Sequence, residues 1–171
     1  MLCCLGQTRS RILRRPARAV ALALALLASA CSDDGRERRR ALGETPTFDD
    51  VMRVADAERG GRLFGQCAAC HTISPGAGDR NGPGLYDVLG KPVASNSRRY
   101  GYTGALRSLG GVWTPELMDL WLSAPAKLAP GTSMSFRGLP DVLDRADIIA
   151  YLLTQSPGDR DAEPRPARPC W

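Results

Sequence analysis

The stretch "FGQCAACHTI", Phe64 to Ile73, decides how this chain is read. Cys67 and Cys70 stand two residues apart with His71 directly behind, and His71 is the only histidine among the 171 residues. Several chemistries compete for such a cluster. A structural zinc site wants four Cys or His ligands. Here three are at hand, the adjacent Cys70 and His71 suit a shared tetrahedron poorly, and a fourth must come from remote Cys31 or Cys170. A thiol redox pair opens a helix in a βαβ setting, whereas these cysteines close a helical pattern with no strand pattern beside it. A plain disulfide between them stays open in an oxidising compartment. The remaining reading is the C-x-x-C-H attachment signature of a c-type haem, in which two thioethers tether the porphyrin and the histidine reaches the iron.

A lone histidine excludes bis-histidine ligation, and methionine is the usual second ligand in electron-carrying haem proteins. Three methionines lie beyond the N-terminal region: Met52, Met118 and Met134. Met52 precedes the first helix and sits too near the attachment face in sequence. Met118 falls inside a helical pattern, where core packing accounts for it. Met134 lies in "APGTSMSF", a Pro/Gly loop that can deliver a side chain to the far face of the ring. His71 and Met134 are the expected metal ligands.

The first thirty residues read as an export signal. Five arginines between Arg9 and Arg18, with no acidic residue, precede the apolar run Ala19 to Ala30 of twelve residues. That is short of the about 20 needed to span a bilayer, and it ends on small residues. Ala28-Ser29-Ala30 suits ordinary cleavage, and "LLASAC" resembles a bacterial lipobox with Ala28 where Leu is usual. Both cut before Cys31, and lipidation of Cys31 is the preferred reading because it accounts for that thiol. The formal charge of +5 loses its meaning with this segment. Five of 23 basic residues leave with it, so 18 of each sign remain. A balanced chain gives no case for nucleic acid. The run "RERRR", Arg36–Arg40, is either a solvated linker or a contact for anionic lipid beside Cys31.

The expected organisation is signal peptide 1–30, N-terminal tether 31–55, one domain 56–155, and a Pro-rich disordered tail 156–171. "TFDDVMRVAD" can add a helical turn or two to the tether, whose 25-odd residues as coil would span roughly 25–30 Å. Three main helices are expected. The first is capped by Asp56 and runs through "AERGGRLFGQCAAC", with Ala57, Leu63 and Phe64 as its stripe. The second is capped by Thr114, with Pro115 at its first position and Glu116 next. The third covers Asp144–Gln155, with Ile148, Ile149, Tyr151 and Leu152 on one side. No segment alternates as a strand does, so the fold is mostly α. Three short helices make a thin core, and small domains of this kind often need a metal or cofactor.

From 56 to 155 the chain resembles the class I cytochrome c family, of the mitochondrial and bacterial cytochrome c/c2 type. "ERGGRLFGQCAACHT", "NGPGLYDVLGK", "YGYTGAL…GGVW", "PGTSM" and "DRADIIAYL" follow that family's order and spacing. The resemblance implies one covalent haem c within three helices and long loops, with Pro83 offering its carbonyl to His71. It implies Tyr102, Trp113 and Thr132 near the propionates, and Gly60 letting Tyr151 and Ile148 pack across the first helix. It implies a one-electron carrier rather than an enzyme, working between membrane redox complexes in the periplasm. A fixed haem subunit of a larger oxidase or dehydrogenase, and an open-site haem enzyme or sensor, are the alternatives. Three departures stand out. Lys91 occupies a position usually held by an Arg behind the propionates. Trp121 replaces a Tyr that often binds the methionine sulfur. The lysine ring that docks partners is reduced to Lys91 and Lys127, with Arg98, Arg99 and Arg107 as possible substitutes.

Overall fold

The computed structural model describes residues 34–156. The expected signal peptide, the lipidation site Cys31, and the tail with Cys170 lie outside the described residues. The chain divides into two compact units, with the boundary between Gly43 and Glu44.

In the first unit, α1 covers Asp34–Leu42. This corrects the expectation of a structureless tether across these residues. The polarity of "DGRERRRAL" suggested a linker, yet Arg, Glu, Ala and Leu are all good helix formers. Helices need no apolar run when intrinsic propensity favours them.

In the second unit, α2 covers Phe48–Arg53, α3 Ala57–Leu63, α4 Gly104–Leu109, α5 Pro115–Ser123, α6 Pro125–Leu128 and α7 Val142–Thr154. Helix α2 is fixed by a capping box in which Thr47 and Asp50 satisfy each other's backbone N–H groups. Val51 on α2 is buried, and Phe48 and Met52 pack against the core. The domain therefore starts before residue 56, and residues 44–55 belong to it. At the other end Ser156 is buried, its hydroxyl donating to the Leu152 carbonyl at 3.0 Å.

Asp56 caps α3 as expected, accepting from the N–H groups of Glu58 and Arg59 at 2.9 and 3.0 Å. The helix stops at Leu63 rather than Cys70. A 3₁₀ turn, Phe64–Gln66, follows, and Cys67 N–H donates three residues back to the Phe64 carbonyl at 2.8 Å. Such bonds tighten a helix end and satisfy carbonyls that would otherwise be orphaned. Helix α5 forms as expected from its Thr114 cap and Pro115. Helix α7 starts two residues before the expected Asp144, because Asp141 caps it by accepting from Leu143 and Asp144 N–H. Among the described residues the only strand-like feature is a single antiparallel bridge, Pro92 to Val112.

The central crossing joins α3 to α7. A Cβ on Gly60 would collide with the Asp147 backbone carbonyl and lie 2.9 Å from Tyr151 Cβ. Gly60 thus admits Tyr151 as expected, while the nearest obstacle is Asp147 rather than Ile148. Asp147 is fully buried. Its carboxylate accepts from Asp56 N–H at 2.7 Å and from Arg59 at 2.5 Å. Arg59 also meets Asp144 at 2.7 Å. Phe64 and Tyr151 pack with ring centroids 5.4 Å apart. Ile148, Ile149 and Leu152 then present the buried side of α7 to the rest of the core.

Candidate functional site

The core of the second unit encloses a cavity of about 490 Å³, within the usual range for ligand sites. Cys67, Cys70, His71, Pro83, Tyr102, Trp113, Thr132 and Met134 all line it. The structure thus brings every expected site residue to one space. Leu85, Trp121 and Phe136, expected as its apolar wall, line it as well.

The attachment turn is compact. Cys70 and His71 N–H both donate to the Cys67 carbonyl at 3.0 Å, and Gly82 N–H donates to the Cys70 carbonyl at 2.8 Å. A Cβ on Gly82 would run into the His71 ring, so only glycine lets the chain pass there. His71 Nδ1 lies 2.7 Å from the Pro83 carbonyl oxygen. A carbonyl only accepts, so Nδ1 carries the proton and Nε2 keeps its lone pair for a metal. Arg80 donates to the Ala68 carbonyl at 2.9 Å and steadies the turn.

Both thiols are free. Burial pushes the Cys67 thiol up to about 11, the opposite of the lowered value that a redox-active cysteine needs. Among the described residues no three His, Cys, Asp or Glu side chains converge as a metal site. The thiol-redox and zinc readings lose their geometry here.

Met134 is carried on a loop pinned at both ends. Gly131, at φ +96°, turns the chain after α6 in a conformation that favours glycine. Beyond Met134, Leu139 N–H donates to the Leu122 carbonyl at 2.8 Å, and a Cβ on Gly138 would strike the Ser123 carbonyl. Met134 N–H donates to Thr132 Oγ1 at 3.3 Å. Met118 is buried in α5 and also lines the cavity, while Met52 packs against the core without lining it.

Three polar side chains on the wall keep a donor for a guest. Tyr102 accepts from Ser97 N–H at 3.1 Å through its oxygen, leaving its O–H to donate. Burial, foremost, raises its pKa, so the proton is firmly held. Thr132 likewise uses its oxygen toward Met134 and retains its O–H. Trp113, buried and locked to Lys91 by backbone bonding (N–H to carbonyl, 2.9 Å), brings an indole N–H. Trp121 packs edge-on against it with centroids 5.7 Å apart. No Asp, Glu, Lys or Arg lines the cavity. An apolar chamber with two thiols, an oriented imidazole, a thioether and three hydrogen-bond donors fits a covalently held porphyrin with its iron and carboxylates.

Lys91 stands outside the cavity wall. Its ammonium pairs with Asp87 at 2.9 Å. Two further residues, which no motif singles out, hold the wall: the Tyr100 hydroxyl donates to the Asn81 carbonyl at 3.0 Å, and the Asn96 amide donates to the Gly84 and Tyr86 carbonyls at 2.5 and 3.3 Å. Both line the cavity. The aromatic pair in "RRYGYTG" was the available signal for Tyr100, whose ring lies 5.0 Å from that of Tyr102. Nothing local marks Asn96.

Comparison with known proteins gives a consistent result. No protein-family model matches the chain. The chain is 40% identical over 108 residues to cytochrome c of Theileria parva, covering 63% of this chain and 92% of that one. It is 33% identical over 118 residues to a cytochrome c homolog of Bradyrhizobium diazoefficiens, covering 69% of this chain. The match spans only 64% of that relative's length. The solved structure of cytochrome cH from Methylobacterium extorquens is 36% identical, with a TM-score of 0.55 over 58% of this chain and 99% of that one. With its cavity and C-x-x-C-H turn, this chain belongs to the class I cytochrome c family and takes one haem c as its cofactor.

Proposed function

We propose that the protein is an exported one-electron carrier in which Cys67 and Cys70 would hold the haem covalently and His71 and Met134 would ligate its iron. The observation that carries this reading is the placement of His71, oriented by Pro83 at 2.7 Å, and Met134 on one uncharged cavity. Bound haem c supplies a reversible one-electron couple. Pro83 keeps the His71 imidazole in the tautomer that ligates. The pinned loop from Gly131 to Gly138 holds Met134 in place whatever the oxidation state, so little rearrangement opposes exchange. Tyr102, Trp113 and Thr132 would donate to the ring's carboxylates. Leu85, Trp113, Trp121 and Phe136 keep water away, which with a thioether ligand favours the reduced form and a fairly positive potential.

Its partners are an electron donor and an acceptor redox protein outside the cytoplasm, and a lipidated Cys31 would tie the carrier to the membrane. The basic start and the apolar run before Cys31 support export. A mass measurement of the purified mature protein tests the reading. One porphyrin adduct is expected, absent from the Cys67→Ser/Cys70→Ser variant, together with an acyl chain on Cys31. A folded, colourless protein overturns it. A stoichiometric c-haem held in a detergent-extracted oxidase or dehydrogenase would instead assign the domain as a fixed subunit.

A further inference from the structure

The arginine run at 36–40 has no part in the cavity, and α1 gives it a geometry that the sequence did not. At 3.6 residues per turn, Arg36, Arg39 and Arg40 fall at i, i+3 and i+4, within an arc of about 100°. All three are exposed, whereas Gly35, Arg38 and Leu42 are half-buried and share the other side. The helix therefore carries a stripe of guanidinium groups on one face. Its four arginines outnumber Asp34 and Glu37, giving α1 a formal charge of +2. Residues 44–156 hold eleven basic and twelve acidic residues, a formal −1. Positive charge is concentrated in the helix and is absent, on balance, from the domain.

The position of this stripe along the chain selects its partner. Asp34, the first residue of α1, lies four positions after the apolar run Ala19–Ala30 and three after Cys31. A retained apolar run or an acyl chain on Cys31 would each set a lipid surface beside α1. We propose that Arg36, Arg39 and Arg40 bind anionic phospholipid headgroups. Guanidinium groups present planar paired donors that match phosphate oxygens. The biological setting of this contact rests on the proposed export and membrane attachment. The contact itself does not depend on haem ligation.

The test is partition of the haem-loaded protein between buffer and vesicles of phosphatidylcholine, alone or mixed with phosphatidylglycerol. The ratio of the two partition coefficients isolates headgroup charge, because an acyl chain contributes equally to both. Each arginine near an anionic surface is worth about a fivefold gain. The Arg36→Gln/Arg39→Gln/Arg40→Gln variant is therefore expected to lower the ratio about a hundredfold, and Arg40→Gln alone about fivefold. Raising the salt should shrink the wild-type ratio. A wild-type ratio near unity, or one unchanged in the triple variant, overturns the proposal. So does an unchanged ratio accompanied by slower electron exchange with an acidic redox protein, which would assign the stripe to a protein partner. Absolute partition into neutral vesicles reports the acyl chain separately. The visible spectrum of the same samples reports the haem.

Discussion

The α3–α7 crossing and the cavity beside it are built from opposite materials. At the crossing, two helices are drawn together by a missing side chain at Gly60 and a cluster of opposite charges: Arg59, Asp144 and fully buried Asp147. Around the cavity no charged side chain lines the wall, and most of its polar groups come from loops rather than helices. The difference follows from what each region must do. The crossing holds one geometry, and a buried carboxylate with several donors specifies it because no other arrangement satisfies it. The cavity must accept a centre whose charge changes by one unit, and a fixed charge in that low-dielectric space would bias the couple strongly.

Changes at the crossing should therefore cost stability and leave the spectrum alone, while changes at the cavity should do the reverse. The largest expected effect is Asp147→Ala, which strips Arg59 and the Asp56 N–H of their acceptor. Loss of one partner of a buried pair costs about 3–5 kcal/mol. The lower end is expected here, since the Arg59 side chain is 32% exposed and keeps Asp144. Urea midpoints of the haem-loaded protein check this, with an unchanged visible spectrum. Next comes Gly60→Ala, in which the added methyl must displace the backbone carbonyl of Asp147. Overpacking of this kind costs about 1–3 kcal/mol, read in the same experiment.

Trp113→Phe crosses to the other region. On the proposed reading it would remove an indole donor to a propionate, a hydrogen bond worth about 1 kcal/mol, and leave that carboxylate more strongly negative. Negative charge near the iron favours the oxidised form, so the midpoint potential should fall in a redox titration. A potential that is unchanged would mean that the indole N–H does not reach the carboxylate. The smallest effect belongs to Asp50. Hydrogen bonds, first from the Thr47 hydroxyl and then from its N–H and Arg53, hold its carboxyl at about 2, below the usual 3.8. A depressed value stabilises the fold above the unfolded value and loses that contribution as pH falls through the folded one. Asp50→Asn should therefore differ from wild type at pH values above 3.8. The difference should fade as pH falls through about 2.

The two regions also differ in how far the sequence discloses them. The expected ligands were legible because their chemistry is written in rare residues: one histidine, a Cys pair and a methionine in a Pro/Gly loop, whereas Pro83, Tyr102, Trp113 and Thr132 came only from the family resemblance. The crossing was legible as an apolar pattern and, through the family resemblance, as a close approach at Gly60, but its charges were not. Asp147 sits in "DRADIIAYL" like any polar surface residue, and its partners at 56 and 59 lie 91 and 88 positions away. No local pattern carries such a pairing. Short helices were missed for a related reason. Helix α4 has six residues and α6 has four, too few to display a period, and they are fixed by Thr103 and Pro125 rather than by an apolar stripe. Helix α1 shows no apolar stripe either, since it rests on intrinsic propensity alone.

The most direct test of the haem site is the absorption of the oxidised protein at the red end of the visible range, where a thioether bound to ferric haem gives a weak charge-transfer band. The band is expected in the wild type and lost in Met134→Ala, with the porphyrin still attached through Cys67 and Cys70. It should survive in Met118→Leu. A wild type without the band that binds carbon monoxide readily when reduced, or a band that persists without Met134, would contradict ligation by that residue.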